Sequence, residues 1–195
     1  QPVVEQFARH SVATRLDRQD LTLARATAKQ RLAEMEFTFP LQGLSVAAVQ
    51  KLLETPQYGV DPAFVAAARL LSFDSLQGFL RGFIDLVFEV DGRYYIVDYK
   101  TNRLGDSAAD YGAPQLTQAV AHSHYYLQYL IYCVAVHLHL QARLPGYAYE
   151  THFGGVYYLF LRGMADESGH TGVFHDRPPL ALIEAFVAQI LGGRY

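Results

Sequence analysis

The stretch from Gly82 to Lys100, GFIDLVFEVDGRYYIVDYK, limits the possible fold more than any other part of this chain. Two apolar runs flank Asp91-Gly92, a dipeptide typical of the two-residue type I′ turn that joins antiparallel strands. Val90 then pairs with Arg93, and each further pair lies one residue outward on both strands. Because both faces of this hairpin are apolar, we expect it to lie in the interior of a sheet.

The same register brings three charged residues together. Asp85 lies opposite Asp98, with Cβ atoms about 5 Å apart, and Lys100 lies two residues further along that face. Opposed carboxylates destabilise a partly buried sheet unless one is protonated or a cation lies between them, and two short oxygen-bearing side chains suit Mg²⁺. Alternatively, Asp98 and Lys100 are polar residues at a solvated strand end and Asp85 caps a neighbouring turn. A β-bulge would also change the register.

The remaining apolar periodicity and capping signals predict helices interspersed with strands, which is an α/β protein. The strand at Met35–Phe39 is predicted to end at Pro40, and the strand over about 153–163 leaves Arg162 at its end. Ser45 and Asp61 are predicted helix caps. The predicted helices cover about 2–17, 21–33, 45–54, 62–71, 114–141 and a closing segment from Pro178.

Composition favours one globular domain over residues 1–195, since 51% of the residues are hydrophobic and 18% are charged. No apolar run approaches the roughly 18 residues of a membrane span, and the first residues do not resemble a signal peptide. The lone cysteine, Cys133, favours a reducing, cytoplasmic setting. Because the chain begins with Gln and not Met, we expect it to be part of a longer protein.

A net charge of −3 argues against a protein that holds nucleic acid by its own charge. It does not exclude a domain to which other domains or subunits deliver DNA. The sequence has no glycine-rich phosphate loop and no G-x-S-x-G motif, so no nucleotide cofactor is expected. Cys133 lies between apolar residues within a predicted helix, which argues against a thiol nucleophile. The acidic hairpin is the remaining group of residues suited to chemistry.

Four motifs, in this order, resemble the RecB-type nuclease domains of the PD-(D/E)xK superfamily. They are GFIDLVF with Asp85, DYK with Asp98 and Lys100, LQYLIY with Gln128 and Tyr132, and HFGGVYYLFLRG. The resemblance covers about 34–163 and is densest from Gly78 onward. It implies a restriction-endonuclease-like core with a central mixed sheet flanked by helices. The closing helix, over about 178–192, is predicted from its own apolar pattern.

The resemblance also implies how the acidic hairpin is used. Asp85 and Asp98 would bind Mg²⁺ together with the main-chain carbonyl of Tyr99, and Mn²⁺ or Ca²⁺ can occupy the same site. Lys100 would orient the attacking water or help to deprotonate it. The reaction is then metal-dependent hydrolysis of DNA phosphodiester bonds, as in an exodeoxyribonuclease V-type enzyme.

Gln128 and Tyr132 lie one helical turn apart and share a face, which is more often a packing arrangement than a site. The resemblance instead implies that they contact the DNA backbone or the metal shell. It further implies single strands of DNA delivered by helicase domains, partner subunits of the RecC and RecD types, and a role in double-strand break repair and recombination. The setting is the bacterial cytoplasm, with no membrane.

Two departures from the family and one alternative function stand beside this interpretation. The family's metal-binding histidine upstream of the first strand has no counterpart here, because His10 lies too close to that strand, so we expect the isolated chain to be weak or inactive. Tyr126 stands where family members often carry Asp.

The alternative function is a nuclease-like docking or regulatory module without activity. The net negative charge of the chain favours this alternative. The presence of Asp85, Asp98 and Lys100 argues against it.

Overall fold

A computed structural model describes residues 12–17, 20–164 and 171–192. Within these residues, strands and helices form an α/β protein, which confirms the predicted fold class. No described helix combines the length and apolar character needed to cross a membrane. The strands are β1 (Arg31–Leu44), β2 (Leu76–Val90), β3 (Arg93–Lys100), β4 (Phe153–Phe160) and β5 (Val173–Asp176). The helices are α1 (Val46–Glu54), α2 (Pro62–Ala68), α3 (Ala113–His122), α4 (Tyr125–Arg143), α5 (Tyr149–His152) and α6 (Leu180–Leu191).

The described strands form one mixed sheet in the order β1-β2-β3-β4-β5. β2 pairs antiparallel with β3, and β4 pairs antiparallel with β5. β3 and β4 are neighbours in the sheet although helices α3 to α5 separate them in the sequence. The hairpin of β2 and β3 therefore lies in the interior of the sheet, as its two apolar faces predict.

The β2–β3 hairpin has the predicted turn and register. Asp91 and Gly92 have φ values of 53° and 78°, and positive φ at both positions is the signature of a type I′ turn. The described pairs begin with Val90 opposite Arg93 and continue one to one along the two strands. A local dipeptide signal was sufficient here because turn length and turn type together fix the pairing.

The predicted helix over about 21–33 is wrong. This segment forms two short 3₁₀ turns before β1 begins at Arg31. The Arg31 guanidinium donates hydrogen bonds to the carbonyl oxygens of Leu23 and Ala26, at 2.7 and 2.6 Å. The arginine thus satisfies backbone acceptors that a helix would have paired internally. Most of the predicted helix over about 2–17 lies outside the described residues.

Strand β1 is longer than the predicted strand over Met35–Phe39, and it continues through Pro40. Buried and exposed side chains alternate from Met35 to Leu41, as in a strand with one covered face. In the sheet order of the described strands, β1 lies at one end. Proline is tolerated in an end strand because its missing N–H need not belong to the ladder. The predicted stop at Pro40 is therefore wrong.

Helices α1 and α2 begin at the predicted caps. Ser45 Oγ accepts a hydrogen bond from the Ala48 N–H at 3.2 Å, and Asp61 Oδ1 accepts one from the Ala63 N–H at 2.8 Å. Pro62 occupies the first turn of α2, where its missing N–H costs no helical hydrogen bond. Each cap satisfies a donor that has no partner inside its own helix.

The predicted continuous helix over about 114–141 is interrupted between α3 and α4. His124 adopts a left-handed conformation, with φ of 53°, which an α-helix of L-residues cannot continue. Its Nδ1 lies 3.0 Å from the hydroxyl of Tyr126, a contact that forms across the break. Hydrophobic periodicity does not report a reversal at one residue, so the sequence pattern missed this break.

Both predicted C-terminal elements agree with the structure, and one further strand was not predicted. β4 and α6 confirm the strand over about 153–163 and the helix that follows Pro178, although Leu161–Gly163 forms a 3₁₀ turn. Strand β5 was not predicted. Its four residues, VFHD, show no alternating apolar run, and it is formed by antiparallel pairing with β4. Pairing of this kind depends on a partner strand that local sequence does not identify.

The chain divides into two compact units. The first comprises Gln1–Met35, Ile84–Ala119 and Gly154–Asp176, and the second comprises Glu36–Phe83, Val120–Phe153 and Arg177–Tyr195. In the first unit, the core includes Phe88 of the hairpin and Leu159 of β4. In the second, Tyr126 of α4 stacks on Phe64 of α2 with ring centroids 5.4 Å apart. A single domain over residues 1–195 stays a prediction.

Buried His137, on α4, is expected to make the stability of the protein depend on pH. The residue is 7% exposed, and its Nδ1 lies 3.1 Å from the Tyr147 hydroxyl. Burial lowers the pKa of His137 from its ordinary 6.5, and the negative charge of Glu184 opposes this shift. The unfolded chain therefore binds a proton at pH values where the folded chain does not. Its contribution to stability is present above about pH 6.5 and is lost as the pH falls toward the folded pKa.

We expect the free energy of unfolding to fall between about pH 7.5 and 5.5, and to fall less steeply in His137→Gln. Urea denaturation at several pH values measures both slopes. His122→Gln is the control, because His122 is an exposed histidine at the end of α3. The same pH dependence in wild-type protein and His137→Gln contradicts this assignment.

Candidate active site

Asp98 and Lys100 form a buried ion pair at the end of β3. Strand alternation places both side chains on one face, and Lys100 Nζ lies 2.5 Å from Asp98 Oδ1. The two residues are 4% and 8% exposed, which contradicts the interpretation that they occupy a solvated strand end. A buried ion pair is rarely more stabilising than apolar residues of similar size. Its presence in this sheet therefore suggests a role other than stability.

The ring of Tyr158 contacts the Lys100 ammonium from a second direction. Tyr158 is fully buried on β4, and Lys100 Nζ lies 4.5 Å from its ring centroid. The negative face of an aromatic ring attracts a cation, more strongly where water is excluded. The Asp98 carboxylate and the Tyr158 ring together fix the position of the ammonium. Tyr158 was not predicted as a site residue, because its contact with Lys100 forms between strands that are distant in the chain.

Asp85 is exposed on β2, and its carboxylate is anchored to β3. Asp85 Oδ2 accepts a hydrogen bond from the Tyr99 N–H at 2.9 Å, so it binds a neighbouring strand and does not cap a turn. Burial raises the pKa of the Tyr99 hydroxyl, the charge of Asp85 adds to this rise, and the charge of Arg31 opposes it. Asp85 therefore combines a fixed orientation with access to solvent.

The predicted repulsion between Asp85 and Asp98 is relieved by a separate partner for each carboxylate. Lys100 pairs with Asp98, and the Tyr99 N–H binds Asp85. A cation between the two is therefore not required to explain why the sheet is stable. The described β2–β3 pairs do not include Asp85 and Asp98, so their direct opposition stays a prediction.

The chemistry of these donors fits a hard divalent cation. Two carboxylates provide oxygen ligands and a charge that matches Mg²⁺. Within residues 12–17, 20–164 and 171–192, no three His, Cys, Asp or Glu side chains cluster as a metal site. Main-chain carbonyls and waters, several of which Mg²⁺ commonly retains, are oxygen ligands that can complete a six-coordinate shell. Coordination by the Tyr99 carbonyl stays a prediction.

Gln128 and Tyr132 contact each other in the second compact unit. Gln128 Nε2 donates a hydrogen bond to the Tyr132 hydroxyl at 2.8 Å across one turn of α4. The Tyr132 ring packs edge-on against Phe37, with centroids 5.9 Å apart. The pair is thus partly a packing arrangement, as the helical spacing suggests. Contact of either residue with DNA or a metal shell stays a prediction.

Tyr126, the second departure from the family pattern, is a packing residue. It is fully buried against Phe64, and burial raises the pKa of its hydroxyl to about 12. The hydroxyl lies 3.0 Å from His124 Nδ1, which satisfies its polar group. The ring therefore packs in the core, and its effect relative to family members that carry Asp stays a prediction.

The segment that follows Lys100 is fastened to the turn that follows β4. Arg162 Nε donates a hydrogen bond to the Thr101 carbonyl at 2.9 Å. The Tyr111 hydroxyl accepts one from the Leu104 N–H at 3.1 Å. The Tyr111 ring lies so close to Gly163 that a Cβ at this glycine would be 2.3 Å from it. These contacts hold Thr101 directly, and Leu104 through Tyr111, against the turn Leu161–Gly163.

Comparisons with known proteins agree with the motif pattern. A family model described as the PD-(D/E)XK nuclease superfamily matches residues 3–190. The chain is similar to RecBCD enzyme subunit RecB of Escherichia coli (strain K12), at 37% identity over 99% of this chain and 16% of that protein.

The same subunit of Mycobacterium tuberculosis (strain H37Rv) is 43% identical over 89% of this chain and 18% of its own length. That of Haemophilus influenzae is 54% identical over 58% of this chain and 9% of its own length. The chain thus spans less than a fifth of the length of these curated relatives.

Proposed function

Because this chain belongs to the PD-(D/E)XK nuclease superfamily, we propose that it hydrolyses the phosphodiester bonds of DNA. The reacting groups in this proposal are Asp85, Asp98 and Lys100, with Mg²⁺ as the cation. The observation that carries the proposal is the buried Asp98–Lys100 pair next to an exposed, anchored Asp85. A docking module has no physical use for a buried ion pair beside an exposed carboxylate.

Lys100 is the group that acts on the attacking water in this proposal. Its ammonium is held at one point by Asp98 Oδ1 and by the Tyr158 ring. A positioned N–H donor can orient the water, and it can hydrogen-bond a phosphate oxygen on which negative charge develops. Because both contacts exist before substrate binds, little reorganisation is needed during the reaction.

Asp85 and Asp98 would hold the cation in this proposal, together with the Tyr99 carbonyl. The Tyr99 N–H fixes the Asp85 carboxylate, and Lys100 fixes that of Asp98, so both are oriented by neighbours on β3. When bound, a hard divalent cation supplies positive charge that offsets charge on the phosphate and lowers the pKa of a water. Mn²⁺ or Ca²⁺ offers the same preference for oxygen ligands.

The substrate in this proposal is single-stranded DNA brought to the site by other domains or subunits. The chain carries a net charge of −3, so it has little general attraction for a polyanion. The similarity to RecB subunits supports helicase domains in the same protein, RecC-type and RecD-type partners, and a bacterial cytoplasmic role in break repair and recombination. We extend the proposal to Gln128 and Tyr132 as residues that contact the DNA backbone or support the site.

Cleavage of end-labelled single-stranded DNA by the full-length protein tests this function. We expect cleavage with Mg²⁺, none with EDTA, and recovery when Mg²⁺ is restored. The acidic chain by itself should cleave more slowly than the full-length protein at equal Mg²⁺. Absence of metal-dependent cleavage by the full-length protein contradicts the proposal.

Metal binding at Asp85 gives a prediction that does not depend on activity. Millimolar Mg²⁺, Mn²⁺ or Ca²⁺ should raise the melting temperature, because a ligand of the native state stabilises it. Asp85→Asn should remove most of this rise. Without metal, the variant should melt close to wild type, since the amide oxygen of Asn can accept the same Tyr99 N–H.

Asp106→Asn is the matched control for Asp85→Asn. Asp106 is an exposed carboxylate that pairs with Arg103, outside the proposed metal site. It should leave the metal-induced rise unchanged. An equal rise in wild type and Asp85→Asn excludes Asp85 as a metal ligand.

A further inference from the structure

Arg162 lies in the turn directly after β4 and reaches the end of β3. Its Nε donates to the carbonyl of Thr101, the residue that follows Lys100, at 2.9 Å. Consecutive Cα atoms are about 3.8 Å apart, so this hydrogen bond brings the guanidinium group close to the Lys100 end of the strand. The side chain of Arg162 is nevertheless exposed.

The hydrogen bond to Thr101 uses only part of the donor capacity of the exposed Arg162 side chain. Arginine has five N–H donors in one plane, and the bond to Thr101 uses the one on Nε. The ion pairs formed among residues 12–17, 20–164 and 171–192 do not include Arg162. By contrast, the nearby exposed Arg103 pairs with Asp106.

We infer that Arg162 binds a phosphate of the substrate strand adjacent to the bond that is cleaved. This inference rests on the proposed nuclease function. A guanidinium fork matches two phosphate oxygens, and contacts to phosphate fix the register of a strand without reading its sequence. An exposed arginine beside Lys100 gives an acidic domain a local anchor where the strand must be held.

A purely structural role makes different predictions. If Arg162 only fastens the segment after Lys100 through Thr101, its loss should lower stability and slow cleavage equally for every DNA substrate. If it binds a phosphate, the loss should depend on the charge at one position of the strand. A single uncharged linkage in the DNA therefore separates the two roles.

The experiment measures kcat/KM of the full-length protein, without ATP, on short single strands that each carry one uncharged methylphosphonate linkage. For wild type, one linkage near the cut should lower kcat/KM by about tenfold. Arg162→Ala should lower kcat/KM by a similar factor on unmodified DNA, with no further loss from the methylphosphonate at that linkage. For Arg162→Ala, the slope of log kcat/KM against the logarithm of salt concentration should also be shallower by about 0.7, the value for one phosphate contact to a single strand.

Arg93→Ala is the matched control, because Arg93 lies on β3 at the hairpin turn, the end opposite to Lys100. It should show the wild-type pattern at every linkage. Arg162→Lys keeps the charge without the planar fork and should retain the salt dependence with partial loss of rate.

If Arg162→Ala and each methylphosphonate lower kcat/KM independently, so that their effects combine additively in free energy at every linkage, the inference is wrong. Arg162 then has a purely structural role. This result is distinct from failure of the proposed function, in which wild-type protein cleaves none of the strands.

Discussion

Replacing Asp98 with alanine should abolish metal-dependent cleavage by the full-length protein, with a loss of at least about 10³-fold in kcat/KM. The substitution removes a proposed metal ligand and also the carboxylate that fixes Lys100 at 2.5 Å. Both the cation and the ammonium would then be misplaced, so the two losses occur together. Cleavage of end-labelled single strands measures the effect.

The same substitution should also destabilise the protein. It leaves the Lys100 ammonium in a site where the residue is 8% exposed. Breaking a buried ion pair on one side typically costs about 3–5 kcal/mol, because the remaining charge loses its counter-ion. Asp98→Ala can therefore fail to fold, which would make its loss of activity uninformative.

Asp98→Asn is the second variant that keeps the prediction testable. The amide has nearly the same shape as the carboxylate and still offers an oxygen to Lys100, but it is a much weaker ligand for Mg²⁺. Asp91→Asn, in the hairpin turn, is the control. A folded Asp98→Asn protein that cleaves within about tenfold of wild type would show that Asp98 is not essential to the reaction.

Lys100→Ala is expected to lower cleavage by about 10²–10⁴-fold while leaving metal binding largely intact. The ammonium is not a metal ligand, so the metal-induced rise in melting temperature should persist. Lys100→Arg should restore little activity, because a guanidinium is larger and differently shaped than the ammonium held between Asp98 and the Tyr158 ring.

The exposed Lys29 provides the control for Lys100. Lys29→Ala should change neither cleavage nor metal-induced stabilisation. If Lys100→Ala weakens metal binding and cleavage in equal proportion, Lys100 supports the metal site and does not act on the water. Intermediate outcomes are separated by measuring cleavage at saturating metal, where a loss of affinity no longer limits the rate.

The hairpin was predictable from sequence because all of its determinants are local. The Asp91-Gly92 turn fixes the register, and period-two alternation then places Asp98 and Lys100 on one face. By contrast, Tyr158 and Arg162 reach the site from β4 and the turn after it, and their contacts depend on which strand becomes the neighbour of β3. The spacing of residues within a motif does not indicate which strands become neighbours in the sheet.

The errors in the predicted secondary structure have a different origin. The segment over about 21–33 has helical periodicity, but hydrogen bonds from the Arg31 side chain stabilise a different backbone. At His124 a single left-handed residue interrupts a helix without altering the hydrophobic pattern. In both places a side-chain hydrogen bond to a residue no more than eight positions away accompanies a backbone that hydrophobic periodicity does not report, and local preference is a weak determinant of structure.

Pro40 has a consequence for how copies of this protein meet in solution. A strand at the end of a sheet exposes unpaired N–H and C=O groups, which can template pairing with another chain and begin aggregation. β1 is such a strand among those described, and Pro40 removes one N–H donor from it. Exposed Glu36 adds a charge that a second strand would have to accommodate. The proline that misleads a prediction of strand length thus disfavours growth of the sheet by self-association at the β1 end.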